Sequence, residues 1–186
     1  MVFVNSMSDL FHKDIPEAFI RRVVEVALSL PRHVFQILTK RPGRAASFFR
    51  RHADLLPDGS LPRHIWMGTS IENEKAEYRA SQLQGVPAQV RFLSFEPLLG
   101  PVDPSLRGIH WVIAGGESGV GFRPVDLDWI RSLRDSCIRK RVPFFFKQVG
   151  GRTPKAGGRM LDGRTWDGFP SVRVDQAPSR TRKVAG

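Results

Sequence analysis

Ile109-His110-Trp111-Val112-Ile113-Ala114-Gly115-Gly116-Glu117 is the stretch that decides the fold, a short apolar run that ends in two glycines and a carboxylate. Because β-branched and aromatic residues dominate it and glycine ends it, the run is typical of a buried β-strand. A nearly continuous apolar run indicates a parallel strand that is covered on both faces. Five other runs have the same character, at residues 2–4, 34–38, 65–68, 90–93 and 144–146.

Four amphipathic stretches between these runs predict helices. The first starts near Pro16 and continues at helical spacing to Leu28, and the second starts at Pro42. We expect Asn73 to cap a third helix that runs to Gly85, and Asp126 to cap a fourth. The stretch 96–109 is short and rich in proline, so a loop is expected there.

The alternation of strands and helices predicts an α/β fold with parallel strands and right-handed crossovers. A closed barrel and an open sheet both satisfy this pattern. We favour a partial parallel β/α barrel of about six strands, because almost every strand end is polar and no loop carries a phosphate-binding fingerprint. This barrel is expected at residues 1–150, a flap packed on it at 151–170, and a disordered basic tail at 171–186.

Composition and charge limit the classes of protein. Hydrophobic residues make up 41% and charged residues 25% of the chain, as in ordinary globular proteins. We find no membrane-spanning run and no signal peptide, and we therefore expect a cytoplasmic protein. The net charge of +11 favours nucleic acid as a partner. Because the basic residues are scattered, a solvated arginine-rich surface is an equally good interpretation, and a protein partner is a further alternative.

Cys137 is the only cysteine. A single cysteine forms no internal disulfide and supplies no thiolate cage for a metal. Its position in a helical pattern with Trp129 and Leu133 favours a packed core thiol over a nucleophile. The five histidines show no metal-ligand spacing. We therefore expect no metal site and assign no catalytic residue.

Polar residues follow every predicted strand. Because parallel strands of a barrel end on one rim, these residues are expected to face a common mouth, where barrel enzymes place their sites. Strand ends are also polar simply because they lead into solvent. Repetition over six strands favours a ligand site over this simpler explanation.

The sharpest local motif is Gly115-Gly116-Glu117-Ser118-Gly119. Glycine amides after a strand can bind a carboxylate or a phosphate. A tight turn explains the same residues equally well. The motif matches neither a Walker loop nor a dinucleotide-binding fingerprint.

Six motifs in order resemble the successive signatures of one family, the bacteriophage gp thirty-seven / gp sixty-eight family, a domain of unknown function in phages and bacteria. They are Phe3-Val-Asn-Ser-Met-Ser-Asp-Leu-Phe11, Phe35-Gln-Ile-Leu-Thr-Lys-Arg-Pro42, Trp66-Met-Gly-Thr-Ser-Ile-Glu-Asn73, Arg91-Phe-Leu-Ser-Phe-Glu-Pro-Leu-Leu-Gly-Pro101, Trp111-Val-Ile-Ala-Gly-Gly-Glu-Ser-Gly119 and Pro143-Phe-Phe-Phe-Lys-Gln148. Leu161-Asp-Gly-Arg-Thr-Trp166 resembles the carboxyl end of that family.

That family is similar to radical S-adenosylmethionine (SAM) proteins, which have barrels of the TIM type. In full-length relatives, a segment of the form G-C…G-C-x-x-C-Y after the first strand implies a [4Fe–4S] cluster that binds SAM. This sequence starts after that point, so the first βα unit with its cysteines is expected to be missing. The resemblance therefore implies the carboxyl-terminal part of a radical-SAM-like protein, without cluster chemistry and with no cofactor expected in this chain. A non-catalytic basic module that binds nucleic acid or a protein is the alternative.

Candidate ligand contacts follow from position on the rim. The candidate cofactor contacts are Ser70, Glu72, Ser94, Glu96, Gly115, Gly116 and Glu117. The candidate substrate contacts are Ser8, Asp9, Lys40, Arg41, Lys147 and Gln148. Among them, the lysines and the arginine suit a carboxylate or a phosphate.

Overall fold

The computed structural model describes residues 1–5, 8–153 and 155–171, and the expected basic tail lies almost entirely outside these residues. The described residues form one sheet with helices on one of its faces. The strands are β1 (Val2–Val4), β2 (Phe35–Thr39), β3 (Leu61–Ser70), β4 (Ala88–Phe95), β5 (Trp111–Gly115) and β6 (Phe144–Gln148). The helices are α1 (Glu17–Leu28), α2 (Pro42–Arg51), α3 (Tyr78–Gln84) and α4 (Leu127–Arg139).

All six strands are parallel and lie side by side in the order β1-β2-β3-β4-β5-β6. The sheet curls into half a barrel, with β1 and β6 as its edges. The predicted α/β fold with parallel strands is confirmed. Because all six strands are parallel, their carboxyl ends lie on one rim.

Local signals explain most element boundaries. Pro16 stands just before α1, and the Asp126 carboxylate caps α4 by accepting a hydrogen bond from the Asp128 amide at 2.8 Å. The predicted third helix is wrong in detail. Asn73 caps a short 3₁₀ turn, Glu74–Ala76, and α3 begins only at Tyr78. No helix or strand lies between β4 and β5, as the proline-rich stretch predicts.

Strand β3 is longer than the apolar run 65–68 predicts. It extends back to Leu61 and pairs there with Ala88, with a register irregularity between Leu61 and Trp66. The hydrophobic pattern does not reveal this extension, because the polar residues Arg63 and His64 interrupt it. The irregularity turns the amino end of β3 and leaves Arg63 beside the start of β4.

The convex face of the sheet carries the main core. Side chains of all four helices pack there against alternate strand residues such as Ile37, Met67 and Val112. Phe11, Phe48 and Phe49 form an aromatic cluster in this layer, with centroids 5.2 to 6.2 Å apart. Cys137 is fully buried in the same layer, which confirms the predicted core thiol.

The concave face carries a second, smaller core made of Trp66, Val90, Phe92, Trp111 and Ile113. Trp66 and Trp111 meet edge to face at 5.7 Å. Gly68 leaves room for the Phe92 ring, because a Cβ at this glycine would lie 2.3 Å from that ring. Aromatic side chains thus fill the lower half of the half-barrel.

Residues 161–169 lie along the outer edge of β6 and contribute side chains to both faces of the sheet. The Phe146 amide donates to the Trp166 carbonyl at 2.9 Å, and the Gly168 amide donates to the Phe144 carbonyl at 2.9 Å. The Trp111 indole donates to the Gly168 carbonyl at 2.7 Å. Leu161 joins the main core. The segment is therefore anchored to the sheet by backbone pairing and by aromatic packing.

Phe169→Ala is expected to lower the free energy of unfolding by about 1.5 kcal/mol, because the Phe169 ring packs on Trp111 at 4.4 Å and on Phe145 at 5.5 Å. Thermal unfolding should show a decrease in Tm of about 3–6 °C. Val120→Ala is the control, since Val120 is 96% exposed. Equal melting of the two variants would contradict a stabilising role for this segment.

Among the described residues, every helix is too short or too polar to cross a bilayer.

Candidate functional site

Two neighbouring hollows occupy the rim at the carboxyl ends of the strands. The first, called the rim cleft, has a volume of about 480 Å³ and is lined by Phe3, Asn5, Ser8, Asp9, Leu38, Thr39, Lys40, Arg41 and Ser70. The second, called the interior cavity, has a volume of about 210 Å³ and is lined by Phe3, Gln36, Leu38, Phe92, Ser94, Glu96, Trp111, Ile113, Phe145 and Lys147. Because Phe3 and Leu38 border both, the two hollows are neighbours.

Asp9 organises one wall of the rim cleft. One carboxylate oxygen accepts hydrogen bonds from the Phe11 amide at 2.9 Å and the Thr39 hydroxyl at 2.7 Å. The other oxygen accepts from the Lys40 amide at 3.0 Å and from the Arg41 guanidinium at 2.8 Å. Burial acts to raise the pKa of Asp9, but these hydrogen bonds outweigh it and hold the pKa below its ordinary value. The side chain is therefore a carboxylate that ties β1 to β2.

Glu72 organises the adjacent wall. The Lys40 ammonium lies 2.5 Å from one carboxylate oxygen, and the Arg79 guanidinium donates to the other at 2.9 Å. Burial acts to raise the pKa of Glu72, but Lys40 and Arg79 outweigh it and lower the pKa. Arg79 also donates to the Ser70 carbonyl at 2.9 Å, which fixes α3 against the end of β3.

The charges around the rim cleft do not balance. Lys40, Arg41 and Arg79 bring three positive charges against the two carboxylates of Asp9 and Glu72. The Nε of Arg79 is buried and has no hydrogen-bond partner among the described residues. The cleft can therefore take a ligand with a negatively charged group.

A separate ion pair lies at the interior cavity. The Lys147 ammonium lies 2.9 Å and 3.1 Å from the two oxygens of Glu96. This pair joins the ends of β4 and β6, which are separated in the sheet by β5. Ser94 lies one alternate position below Glu96 on the same face. The pair therefore sets the polar upper edge of an otherwise aromatic cavity.

The glycine motif after β5 is packed against the chain itself. The Gly116 amide donates to the Gln148 carbonyl at 3.0 Å, and the Gly119 amide donates to the Gly151 carbonyl at 2.9 Å. The Gln148 side chain donates to the Gly116 carbonyl at 3.1 Å and to the Ser118 hydroxyl at 2.7 Å. These amides are engaged within the protein. The tight-turn interpretation of the motif therefore fits better than a ligand-binding nest.

The Glu117 side chain binds Arg123. Its carboxylate accepts from the Arg123 amide at 2.8 Å and from the Arg123 guanidinium at 2.7 and 2.8 Å. Hydrogen bonds from the Arg123 side chain and backbone lower the pKa of Glu117 to about 2. Glu117 lines neither the rim cleft nor the interior cavity.

The structure thus separates the candidate residues into three groups. The rim cleft and its wall bring together Ser8, Asp9, Lys40, Arg41, Ser70 and Glu72. The interior cavity brings together Ser94, Glu96 and Lys147. The remaining candidates, Gly115, Gly116, Glu117 and Gln148, form the corner between β5 and β6.

Sequence reasoning missed Arg79 and the aromatic lining. Arg79 lies on α3, away from any strand end, and no sequence pattern indicates its contact with Glu72. Phe3 and Phe145 sit on the concave face because strand residues alternate between faces. That alternation was readable in the sequence, but which face is concave was not.

The described residues do not fit an iron–sulfur cluster. Among them, no three His, Cys, Asp or Glu side chains converge as a metal site. Burial raises the pKa of the Cys137 thiol to about 12, so it does not supply a thiolate. The described residues therefore do not supply the ligands of such a cluster.

Comparison with known families adds one finding. Residues 1–170 match the family described as "Protein of unknown function (DUF5131)". The chain belongs to this family. The match spans the half-barrel and the segment 161–169. No curated protein matches the chain. No solved structure matches it either.

Proposed function

We propose that the chain is the ligand-binding part of a β/α-barrel enzyme similar to radical SAM proteins, and that its rim cleft binds SAM. The observation that carries this proposal is a cleft with charges of both signs that neighbours an aromatic cavity at the carboxyl ends of parallel strands. Sites of barrel enzymes lie at this end of the sheet.

The chemistry of SAM suits the two hollows. Its amino-acid part carries a carboxylate, which Lys40 and Arg41 can meet. Its adenine ring is flat and aromatic, so it can stack on side chains such as Phe3 and Phe145 in the interior cavity. The described residues hold no cluster ligands, so the proposal for this chain is binding and orientation of SAM, not its cleavage.

Calorimetric titration of the full chain with SAM tests the proposal. We expect saturable binding, and Lys40→Gln should weaken it by about tenfold or more, because a charge-assisted hydrogen bond contributes about 1.5–3 kcal/mol. Adenosine, which lacks the amino-acid part, should bind much more weakly than SAM. Lys140→Gln is the control, since Lys140 is exposed at the opposite end of the sheet. No saturable binding, or equal weakening by both variants, would overturn the proposal.

A second candidate function is a non-catalytic module that binds nucleic acid. Its support is the net charge of +11. A protein partner would not require that charge. Salt dependence separates the two candidates, because binding to nucleic acid weakens steeply with salt whereas binding of a small ligand such as SAM, which makes few ionic contacts, depends on salt far less.

A further inference from the structure

A larger hollow lies at the opposite end of the sheet from the rim. It has a volume of about 640 Å³ and is formed at the amino ends of β3, β4, β5 and β6. Its lining residues are Arg63, Ala88, Gln89, Val90, Arg91, Ile109, His110, Arg141, Val142, Pro143, Pro170 and Ser171. We call it the basal cavity. Three arginines and a histidine line it, and no described carboxylate does.

Two arginines of the basal cavity donate hydrogen bonds to uncharged oxygens. The Arg63 guanidinium donates to the Gln89 side-chain oxygen at 3.3 Å, and the Arg91 guanidinium donates to the Val86 carbonyl at 3.0 and 2.8 Å. Neither of them, nor Arg141, forms an ion pair with a carboxylate among the described residues. By contrast, nine of the other sixteen arginines among the described residues do, namely Arg21, Arg22, Arg41, Arg51, Arg79, Arg123, Arg131, Arg134 and Arg159.

The positive charge of Arg91 is partly withdrawn from water, whereas Arg63 and Arg141 are exposed. Burial lowers the pKa of the Arg91 guanidinium. Burial, together with the charge of Arg91, lowers the pKa of His110, whose ring nitrogen accepts a hydrogen bond from the Arg91 amide at 3.1 Å. The lowered pKa values of Arg91 and His110 are both consistent with a site where positive charge lacks a counter-charge. An anion placed there would gain attraction without displacing a protein carboxylate.

Size and shape favour an anion larger than a simple ion. A hollow of about 640 Å³ is within the range of ligand-binding pockets, and it has room for a nucleotide or a short backbone segment. Guanidinium groups bind phosphate oxygens in pairs, which gives geometric specificity as well as energy. We propose that the basal cavity is a phosphate-binding site, occupied by the phosphate of a nucleotide or of a nucleic-acid backbone. This proposal does not depend on SAM binding at the rim.

Fluorescence anisotropy of the full chain with a labelled single-stranded oligonucleotide of about 12 nucleotides tests the proposal. The test variant combines Arg63→Gln with Arg141→Asn. Asparagine suits position 141, since Arg141 has φ of 56° there, a region that asparagine adopts more readily. The control variant combines Arg22→Gln with Arg50→Gln, which removes the same charge from the exposed surfaces of α1 and α2.

We expect the cavity variant to bind about tenfold or more weakly than the wild type, and the control variant to bind within about twofold of it. The slope of binding against salt concentration should decrease by about one for each lost phosphate contact. Thermal unfolding of both variants verifies that they fold. Equal weakening of the two variants, or no binding to the wild type of any phosphate-bearing probe, would overturn the proposal.

Competition identifies the source of the phosphate. If adenosine monophosphate or inorganic phosphate displaces the oligonucleotide, and the cavity variant loses that displacement, the site accepts a single phosphate group. If only an unlabelled oligonucleotide displaces it, and the cavity variant again loses the binding, the site recognises the nucleic-acid backbone. Either result supports the cavity as a phosphate site, and salt-independent binding argues against the second source.

Discussion

Gly116→Ala is expected to destabilise the protein by about 3 kcal/mol, at the upper end of the range for overpacking. A Cβ at position 116 would lie 1.9 Å from the Val149 carbonyl oxygen and 3.0 Å from the Val125 side chain. The obstacle is backbone, which cannot move aside without breaking the hydrogen bond from the Gly116 amide to Gln148. The corner between β5 and β6 would therefore have to open. Thermal unfolding should show a decrease in Tm of about 6–12 °C.

The adjacent glycine supplies a matched control. A Cβ at Gly115 would lie 3.4 to 3.6 Å from atoms of Gln148, which is ordinary contact distance. Gly115→Ala should therefore change the free energy of unfolding by less than about 1 kcal/mol. Similar melting of the two variants would show that the close approach of Val149 to Gly116 does not constrain the fold.

Asp9→Ala is expected to cost about 2–3 kcal/mol of stability and to disorder the rim cleft. The substitution removes four hydrogen bonds to a carboxylate that is only 16% exposed, and it leaves Thr39 and Arg41 without their acceptor. Because β1 is an edge strand of three residues, Asp9 is a main link between its following loop and β2. Urea unfolding measures the loss, and SAM binding should decrease in parallel.

Asp9→Asn separates the charge of this residue from its shape. The pKa of Asp9 is lower in the folded protein than its ordinary value of 3.8. Its stabilising contribution is therefore complete above that value and is lost as pH falls through the folded-state pKa. The stability difference between the wild type and Asp9→Asn should be constant near neutral pH and should shrink below about pH 4. Urea unfolding at several pH values measures this difference.

Asp103→Asn is the control for both Asp9 variants. Asp103 is exposed, and its carboxylate forms no hydrogen bond or ion pair among the described residues. Its stability curve should follow that of the wild type throughout. If the curve of Asp9→Asn also ran parallel to the wild type in acid, the Asp9 carboxylate would have no special role in the fold.

Much of the fold could be predicted because short apolar runs and helix caps are local signals. Residues 2–4 and the cap at Asp126 appear as expected, since each depends on residues a few positions apart. The extension of β3 to Leu61 could not be predicted. It depends on pairing with Ala88, a contact between residues far apart in sequence, and polar residues interrupt its hydrophobic pattern.

The candidate site was predictable as a rim but not as a set of contacts. Parallel strands bring their carboxyl ends together regardless of loop details, which is why Asp9, Lys40 and Ser70 meet. The partners of loop side chains depend on the loop conformation, which the sequence pattern does not predict. Glu117, for example, binds Arg123 away from the cavities. The basal cavity could not be predicted from the sequence for the same reason. Its arginines stand at strand starts, separated by long intervals in the chain.

The side-by-side order of the strands has a consequence for biosynthesis. Each strand finds its neighbour in the next segment to be translated, so the sheet can grow from β1 to β6 in step with elongation of about 5–20 residues per second. Pairing never waits for a distant strand, which limits the time that each growing edge stays exposed on the ribosome. Residues 161–169 emerge afterwards and cover Trp111 and Phe145. In folding from the amino to the carboxyl terminus, the aromatic residues inside the half-barrel would thus be the last to be covered.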